Sequence, residues 1–378
     1  MKTRIVFVNQ SSGYLMIDII DAFEGVYDKR ILITGCIKSR NRTYPDDMQI
    51  HRIQTYYNTT KLKRLITWSK AFIQMVWIIK IYYDDAELFL VSNPPFTTFI
   101  PLFCKNTFSL LVFDIYPDVI NKSGLLKKES LLVRLWAKAN RAVFTRAKRI
   151  FTISYGMKRA IEVYVDASKI NVVSLWSDEV SIAPIEKKNN MFLKEQGLES
   201  KFVVLYSGNL GFSHDVEVIV DIAEKLKAYD NFFILVIGDG EKRELLVSRI
   251  QKQLLSNCRL LPWQSFDMLP YTLSAADIAV VLHSSFASNL SVPSKTFNYL
   301  SVGSPLLCVA AQDSELASIV TRYDVGRCFN RDAVDSMVQY IKDVQADPVY
   351  HSRLQYNALN ASKDFTIKNA RKFVDALR

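Results

Sequence analysis

Short, wholly apolar runs, many of them β-branched, recur along the chain, and stretches with helical spacing separate them. In the first half the runs are Ile5–Val8, Ile31–Thr34, Leu88–Val91, Ser109–Phe113 and Ile150–Ile153; helical spacing follows at Tyr14–Phe23 and near 61–83, 95–104 and 130–147. In the second half Phe202–Tyr206, Phe232–Ile237, Ile278–Leu282 and Leu306–Val309 read as strands, with helices over Asp215–Ala228 and Lys242–Leu255. Runs that are apolar on both faces and joined by helices predict parallel sheets covered on both sides, an α/β class. Between the halves, residues 179–200 lose periodicity around Lys187-Lys188-Asn189-Asn190, which reads as a linker. The expected organisation is two doubly wound, Rossmann-like domains with a cleft between them. They cover 1–180 and 201–360, with 181–200 as linker and 361–378 as a C-terminal helix packing back on the first domain.

A chain of 378 residues that is about half apolar suits two globular domains and shows no repeat or low-complexity segment. Five scattered cysteines (Cys36, Cys104, Cys258, Cys308, Cys328), none in C-x-x-C spacing, point to reduced thiols and away from a metal site. The opening residues 1–9 carry too short an apolar run for a signal peptide, so a cytoplasmic protein is expected. The charge is one-sided. Residues 1–178 hold 26 Lys and Arg against 15 Asp and Glu, a net +11, whereas 179–378 are net −1. That half is suited to an anionic surface or ligand, or is simply a basic solvated face. Segment 61–83 begins with Lys61, Lys63, Arg64 and Lys70 and becomes apolar on nearly every side. It is too interrupted to span a membrane, and two readings stand: a helix buried in the first domain, or one lying at a membrane interface.

The residues richest in candidate chemistry lie between Val292 and Pro305. Pro293 suits a first helical turn, and Ser294, Lys295 and Asn298 fall on one side of that helix, where free N–H groups and a cation favour a phosphate. Gly303 and Pro305 then end it. Two glycine turns follow strands, at Ser207-Gly208-Asn209-Leu210-Gly211 and Gly238-Asp239-Gly240, at the strand ends where open parallel sheets bind ligands. Neither is a dinucleotide fingerprint or a P-loop. No G-x-S-x-G, H-E-x-x-H or Asp-x-Asp pattern supplies another chemistry, and the basic residues form no nucleic-acid reading module.

Taken together, Tyr206-Ser-Gly-Asn-Leu-Gly211, Val236-Ile-Gly-Asp-Gly240, Ala275-Ala-Asp277 and Pro293-Ser-Lys through Gly303 resemble the nucleotide-sugar-dependent glycosyltransferases of family 4, which have the GT-B fold. In the first half Ser92-Asn-Pro-Pro95, Asp114-Ile-Tyr-Pro117 and Val173–Asp178 look like the branch that builds surface polysaccharide on lipid carriers. The resemblance implies an acceptor-binding first domain and a donor-binding second one. It implies a nucleoside-diphosphate sugar and a lipid-linked saccharide as substrates, no metal or other cofactor, and peripheral association with the inner face of the cell membrane. Family members carry a Glu-x7-Glu pair whose positions here are Leu290 and Asn298, and an Arg and Lys whose positions here are Asn209 and His214. The resemblance therefore leaves Lys295 as the main diphosphate cation, with Gly208, Asn209, His214, Gly238, Ser294 and Asn298 around the donor. It places Trp263 at the base and Gly13 where the first domain approaches the sugar, and makes Asp114 a polar group for acceptor or sugar. From the residues themselves Trp263 also reads as a core aromatic, Gly13 as a plain strand-to-helix turn and Asp114 as a turn cap. Relatives of this type retain anomeric configuration, the leaving diphosphate itself deprotonating the acceptor. A same-fold epimerase and a catalytically silent sugar-nucleotide-binding subunit remain as alternatives.

Overall fold

A computed structural model describes residues 4–40, 42–45, 47–57, 60–116, 130–179, 181–211, 214–283 and 291–378. The chain forms two compact units: Met1–Ser174 with Ile367–Arg378, and Leu175–Thr366.

The first unit is built on β1 (Arg4–Val8), β3 (Lys29–Thr34), β5 (Met48–Arg52), β6 (Glu87–Val91), β7 (Phe108–Val112), β8 (Ile150–Thr152) and β9 (Ile170–Val172). They pair in parallel in the order β5-β3-β1-β6-β7-β8-β9, and β2 (Ser11–Gly13) pairs with β4 (Cys36–Lys38) beside them. Phe7, Leu32, Phe89 and Leu110 are buried on central strands, which is why these stretches show no polar alternation. Helices Tyr14–Ala22, Lys61–Tyr82, Leu131–Arg146 and Tyr155–Glu162 complete the layers. Their starts are local in origin: the Thr60, Ser130 and Ser154 hydroxyls accept from Lys63, Val133 and Met157 N–H at 3.2, 3.3 and 3.0 Å. The expected helix at 95–104 is instead a 3-10 stretch, Pro95–Leu102; Pro101 within it has no N–H to give an α-helical ladder. Ile367–Arg378 completes the core of this unit, with the Phe373 ring 4.8 Å from that of Phe151 and 5.8 Å from that of Phe89.

The second unit has six parallel strands, β10 (Phe202–Ser207), β11 (Phe232–Ile237), β12 (Cys258–Leu261), β13 (Ile278–Leu282), β14 (Leu306–Val309) and β15 (Gly326–Phe329), in the order β12-β11-β10-β13-β14-β15. Strand order reverses between β10 and β13, and β10–β11 is the longest register, six residue pairs from Phe202↔Phe232 to Ser207↔Ile237. Residues 191–196, read from sequence as linker, form a short helix whose Phe192 and Leu193 are buried in this unit's core. Asn190 caps it, its Oδ1 accepting from Phe192 and Leu193 N–H at 3.1 and 3.3 Å. Polar Lys-Lys-Asn-Asn masked a capping signal, not a gap between domains.

Candidate functional site

The second sheet concentrates its chemistry at the carboxyl ends of β10, β11 and β13, beside the point where strand order reverses, the usual ligand crevice of such sheets. Gly208 follows β10 and Gly238 follows β11. The Gly208 N–H donates to Ile237 O at 2.9 Å, the Leu210 N–H to Asp239 O at 2.9 Å and the Lys242 N–H to Leu210 O at 2.9 Å, so the two glycine loops are laced together. A methyl group on Gly238 would overlap the Gly208 carbonyl, so only glycine permits this approach.

Two tyrosines fix the first loop from below. Tyr206, buried at the end of β10, donates its hydroxyl to Asn209 O at 2.8 Å, and the buried Tyr299 hydroxyl accepts from Ser207 N–H at 2.8 Å. Lys295 lies on this platform, its Nζ 4.0 Å from the Tyr206 ring centroid and against the face of Gly208 that a side chain would otherwise fill. No carboxylate among the described residues pairs with it. The residue is half-buried, and desolvation of its ammonium pulls its pKa down to about 7. Nearby, burial lowers His214, and the positive charges of Lys295 and Lys242 lower it further. His283, just after β13, is lowered chiefly by burial and also by His214, while its Nε2 lies 2.8 Å from Ser291 O. Lys242 is neutralised by Glu217 at 2.9 Å and also donates to His214 O at 2.8 Å. What remains at these strand ends is a desolvated lysine with no carboxylate partner among the described residues, a group that an anion would stabilise.

The remaining sequence candidates distribute as follows. The helix anticipated after Pro293 runs only over Lys295–Ser301, and exposed Ser294 precedes it without a side-chain cap bond. Lys295 is thus the first residue of a helix only two turns long. Asn298 Oδ1 accepts from Asp178 N–H at 3.4 Å, which ties this helix to the segment at Asp178. Trp263, after the carboxyl end of β12, is 54% exposed, so it is not a core aromatic. Leu290 and Pro117 lie outside the described residues.

In the first unit, Gly13 ends β2 and leads into the helix Tyr14–Ala22 beside a cavity of about 240 Å³ shared with Asn9, Lys38, Arg40 and Asn93. A methyl group there would meet no atom within 4 Å, and its φ of −106° suits any residue. Gly13→Ala is therefore expected to raise stability slightly, by about 0.4–1 kcal/mol through the less flexible unfolded chain, and a lowered melting temperature would show that this turn needs glycine. Asp114 follows β7, near Tyr116 and Asn140 in a smaller cavity. Its backbone N–H and that of Phe113 approach Ser92 Oγ at 3.4 and 2.9 Å, and desolvation raises its carboxyl pKa. Asp114 is exposed by surface area, so that desolvation comes from groups crowding one side of its carboxyl and not from deep burial. His51, unassigned from sequence, lies with its Nε2 2.5 Å from the Tyr83 hydroxyl.

Tyr206 and Tyr299 were missed from sequence. The available signal was a tyrosine closing an aliphatic strand directly before Ser-Gly, and a second one four residues after the lysine.

Comparison with known proteins bears chiefly on the second unit. Residues 188–361 match the family model of group 1 glycosyl transferases. That segment contains the glycine loops, the tyrosine platform and Lys295. Among curated proteins, the chain is 27% identical over 224 residues to WbjE of Pseudomonas aeruginosa, named as a glycosyltransferase, covering 57% of this chain and 54% of that one. It is 27% identical over 207 residues to WcaI of Escherichia coli (strain K12), named for colanic acid biosynthesis, covering 54% and 51%. The matched region thus spans about half the length of these relatives. Solved structures agree along the whole chain: Alr3699/HepE of Anabaena, determined with UDP and glucose, superposes with a TM-score of 0.71 at 13% identity over 99% of this chain and 98% of its own. WaaG, a glycosyltransferase involved in lipopolysaccharide biosynthesis, gives 0.70 at 12% identity over 98% of each chain. The fold is GT-B, as the sequence resemblance implied.

Proposed function

We propose that this protein is a family 4 glycosyltransferase that moves a sugar from a nucleoside-diphosphate donor to a lipid-diphosphate-linked saccharide in surface-polysaccharide synthesis, acting on the cytoplasmic side of a membrane. The observation that carries the reading is Lys295, an unpaired ammonium enclosed between the Tyr206 ring and Gly208 at the strand-order reversal of the group 1 glycosyl transferase segment. The relatives support it, since their names and ligands concern colanic acid, lipopolysaccharide and UDP with glucose.

In this reading the donor diphosphate lies over Gly208 and meets Lys295, with neutral His214 as a further donor. The acceptor hydroxyl oxygen bonds to the anomeric carbon as the bond from that carbon to the β-phosphate oxygen breaks. The electron pair leaves with the diphosphate, and the acceptor proton passes to a diphosphate oxygen on the same face, so configuration is retained. Lys295 stabilises the charge that grows on the leaving group, a term worth several kcal/mol in a desolvated site. Trp263, exposed beyond β12, offers a surface for the base.

A panel of nucleoside diphosphates and their sugars, read by thermal shift, tests the donor class. UDP at about 100 times its Kd should stabilise the second unit by about 2.7 kcal/mol. No shift with any nucleoside diphosphate would remove the reading. Binding without transfer to any lipid-linked acceptor would convert the protein into a sugar-nucleotide-binding subunit.

A further inference from the structure

In the first unit, the helices Lys61–Tyr82 and Leu131–Arg146 and the 3-10 stretch Pro95–Leu102 enclose an open groove of about 510 Å³. Phe72, Phe96, Phe103, Leu135 and Trp136 form most of its wall, and Ser69 is the one hydroxyl in it. The apolar surface continues outward: Ile73 is 66% exposed, Leu135 57% and Trp77 54%. Soluble proteins seldom leave contiguous apolar surface of this kind uncovered. The sequence of these elements decides among the classes of covering partner. Residues 61–82, 95–105 and 131–146 hold ten Lys and Arg and no Asp or Glu. A second copy of the same elements would bring those cations towards one another, whereas an anionic bilayer offers hydrocarbon to the groove and phosphates to the basic elements around it. No helix among the described residues is long and apolar enough to cross a membrane, so the contact is one of surface insertion. The inner end of the groove also leads somewhere. Trp136 stacks on Tyr116, with centroids 6.1 Å apart, and Tyr116 shares the small cavity of Asp114.

We infer that this groove takes up an acyl chain of an anionic bilayer lipid, Lys and Arg side chains of the elements that form it engaging headgroup phosphates, and so docks the first unit on the membrane. The inference deepens the proposed membrane-side function and rests on it. The full-length protein is floated with vesicles of phosphatidylglycerol and phosphatidylcholine at about 0.1 M and 0.5 M salt, and with vesicles whose acyl chains carry bromine. Wild-type protein is expected to float at the lower salt and to keep part of its binding at the higher, where a purely electrostatic contact is screened. Leu135→Glu and Ile73→Glu, both at exposed positions, should each weaken binding about tenfold or more at either salt. Bromine should quench tryptophan fluorescence in the wild type, and the quenching should fall in Trp136→Phe and Trp77→Phe. The UDP thermal shift of the same variants separates the two ideas: lost flotation with an unchanged shift is the expected result, and a lost UDP shift in the wild type defeats the donor reading while leaving the lipid result to stand. Absence of flotation at both salts, flotation indifferent to both glutamates, or quenching indifferent to both phenylalanines would overturn the inference. So would sedimentation showing a wild-type dimer that either glutamate dissociates.

Discussion

Replacing Lys295 by Met is expected to abolish donor binding and, in the same variant, to raise the melting temperature of the nucleotide-free protein. Both effects have one cause. An ammonium held in a desolvated pocket with its pKa at about 7, against 10.5 for a solvated lysine, disfavours the folded state wherever the unfolded chain keeps that proton. The shift corresponds to roughly 3–5 kcal/mol at ~1.4 kcal/mol per pKa unit. Met keeps most of the stem volume over the Tyr206 ring and carries no charge, so melting should rise by several degrees, at about 2–4 °C per kcal/mol for a unit of this size. The sign of the pH dependence follows. Between about pH 7 and 10.5 the unfolded chain binds one proton more than the folded one at this site, so wild-type stability rises with pH across that window and is flat in this term below it. Lys295→Met should lack that rise. Denaturant titrations of both proteins at pH 7 and pH 9 measure it, and equal pH slopes would show that Lys295 is not held unprotonated by the fold. Binding supplies the complementary signature. A diphosphate beside Nζ raises the lysine pKa, so calorimetry at pH 8 in buffers of different ionisation enthalpy should record proton uptake on UDP binding, absent in Lys295→Met.

That instability is a reason to regard the lysine as a feature of function rather than of folding, because elsewhere the sequence and the structure cooperate in burying apolar groups. The nine strands legible from the residues are the interior members of both sheets: β3, β1, β6, β7 and β8 in the first, β11, β10, β13 and β14 in the second. Each is largely buried on both faces and reads as a short, mainly apolar run. The strands that escaped notice in those sheets, β5, β9, β12 and β15, are their four edges. Met48-Gln-Ile-His-Arg52 and Gly326-Arg-Cys-Phe329 are only partly covered, so polar residues interrupt them and the pattern resembles a loop. The helix at Asn190 was obscured for a similar reason, since its cap residues are polar and its buried face is two residues wide.

The site was legible in the same uneven way. Gly208, Gly238 and Lys295 stood out because their chemistry depends on residue type: a missing side chain, or a lone cation among apolar neighbours. Tyr206 and Tyr299 did not, because a tyrosine acts here through a hydroxyl aimed at backbone, and nothing in spacing reveals that direction. Asn298 read as a ligand group from its place on the helix, and only coordinates reveal its bond to Asp178.

Gly238→Ala is the sharpest test of whether the glycine loops form a single construction. Its φ of +156° is one that a side chain rarely adopts, and the added methyl meets Gly208 O, a backbone atom fixed by the bond from Gly208 N–H to Ile237 O and by the neighbouring Tyr299–Ser207 bond. Neither partner can move aside without breaking the lacing between β10 and β11, so the expected cost is about 2–4 kcal/mol, the sum of a strained conformation and a displaced loop. The displacement should also reach Lys295. If Gly208 shifts away from β11, it moves into Nζ, and the ammonium leaves the Tyr206 ring. Gly238→Ala should therefore lose UDP affinity at least tenfold even at temperatures where it is fully folded. A control, Gly303→Ala, strains a φ of +75° and presses a methyl against the Leu359 side chain, whose Cγ is 3.0 Å away, so it should lower stability without changing UDP affinity. Equal loss of UDP affinity in both variants, measured well below their melting temperatures, would mean that the Gly208–Lys295 contact is a by-product of packing and not the seat of the diphosphate.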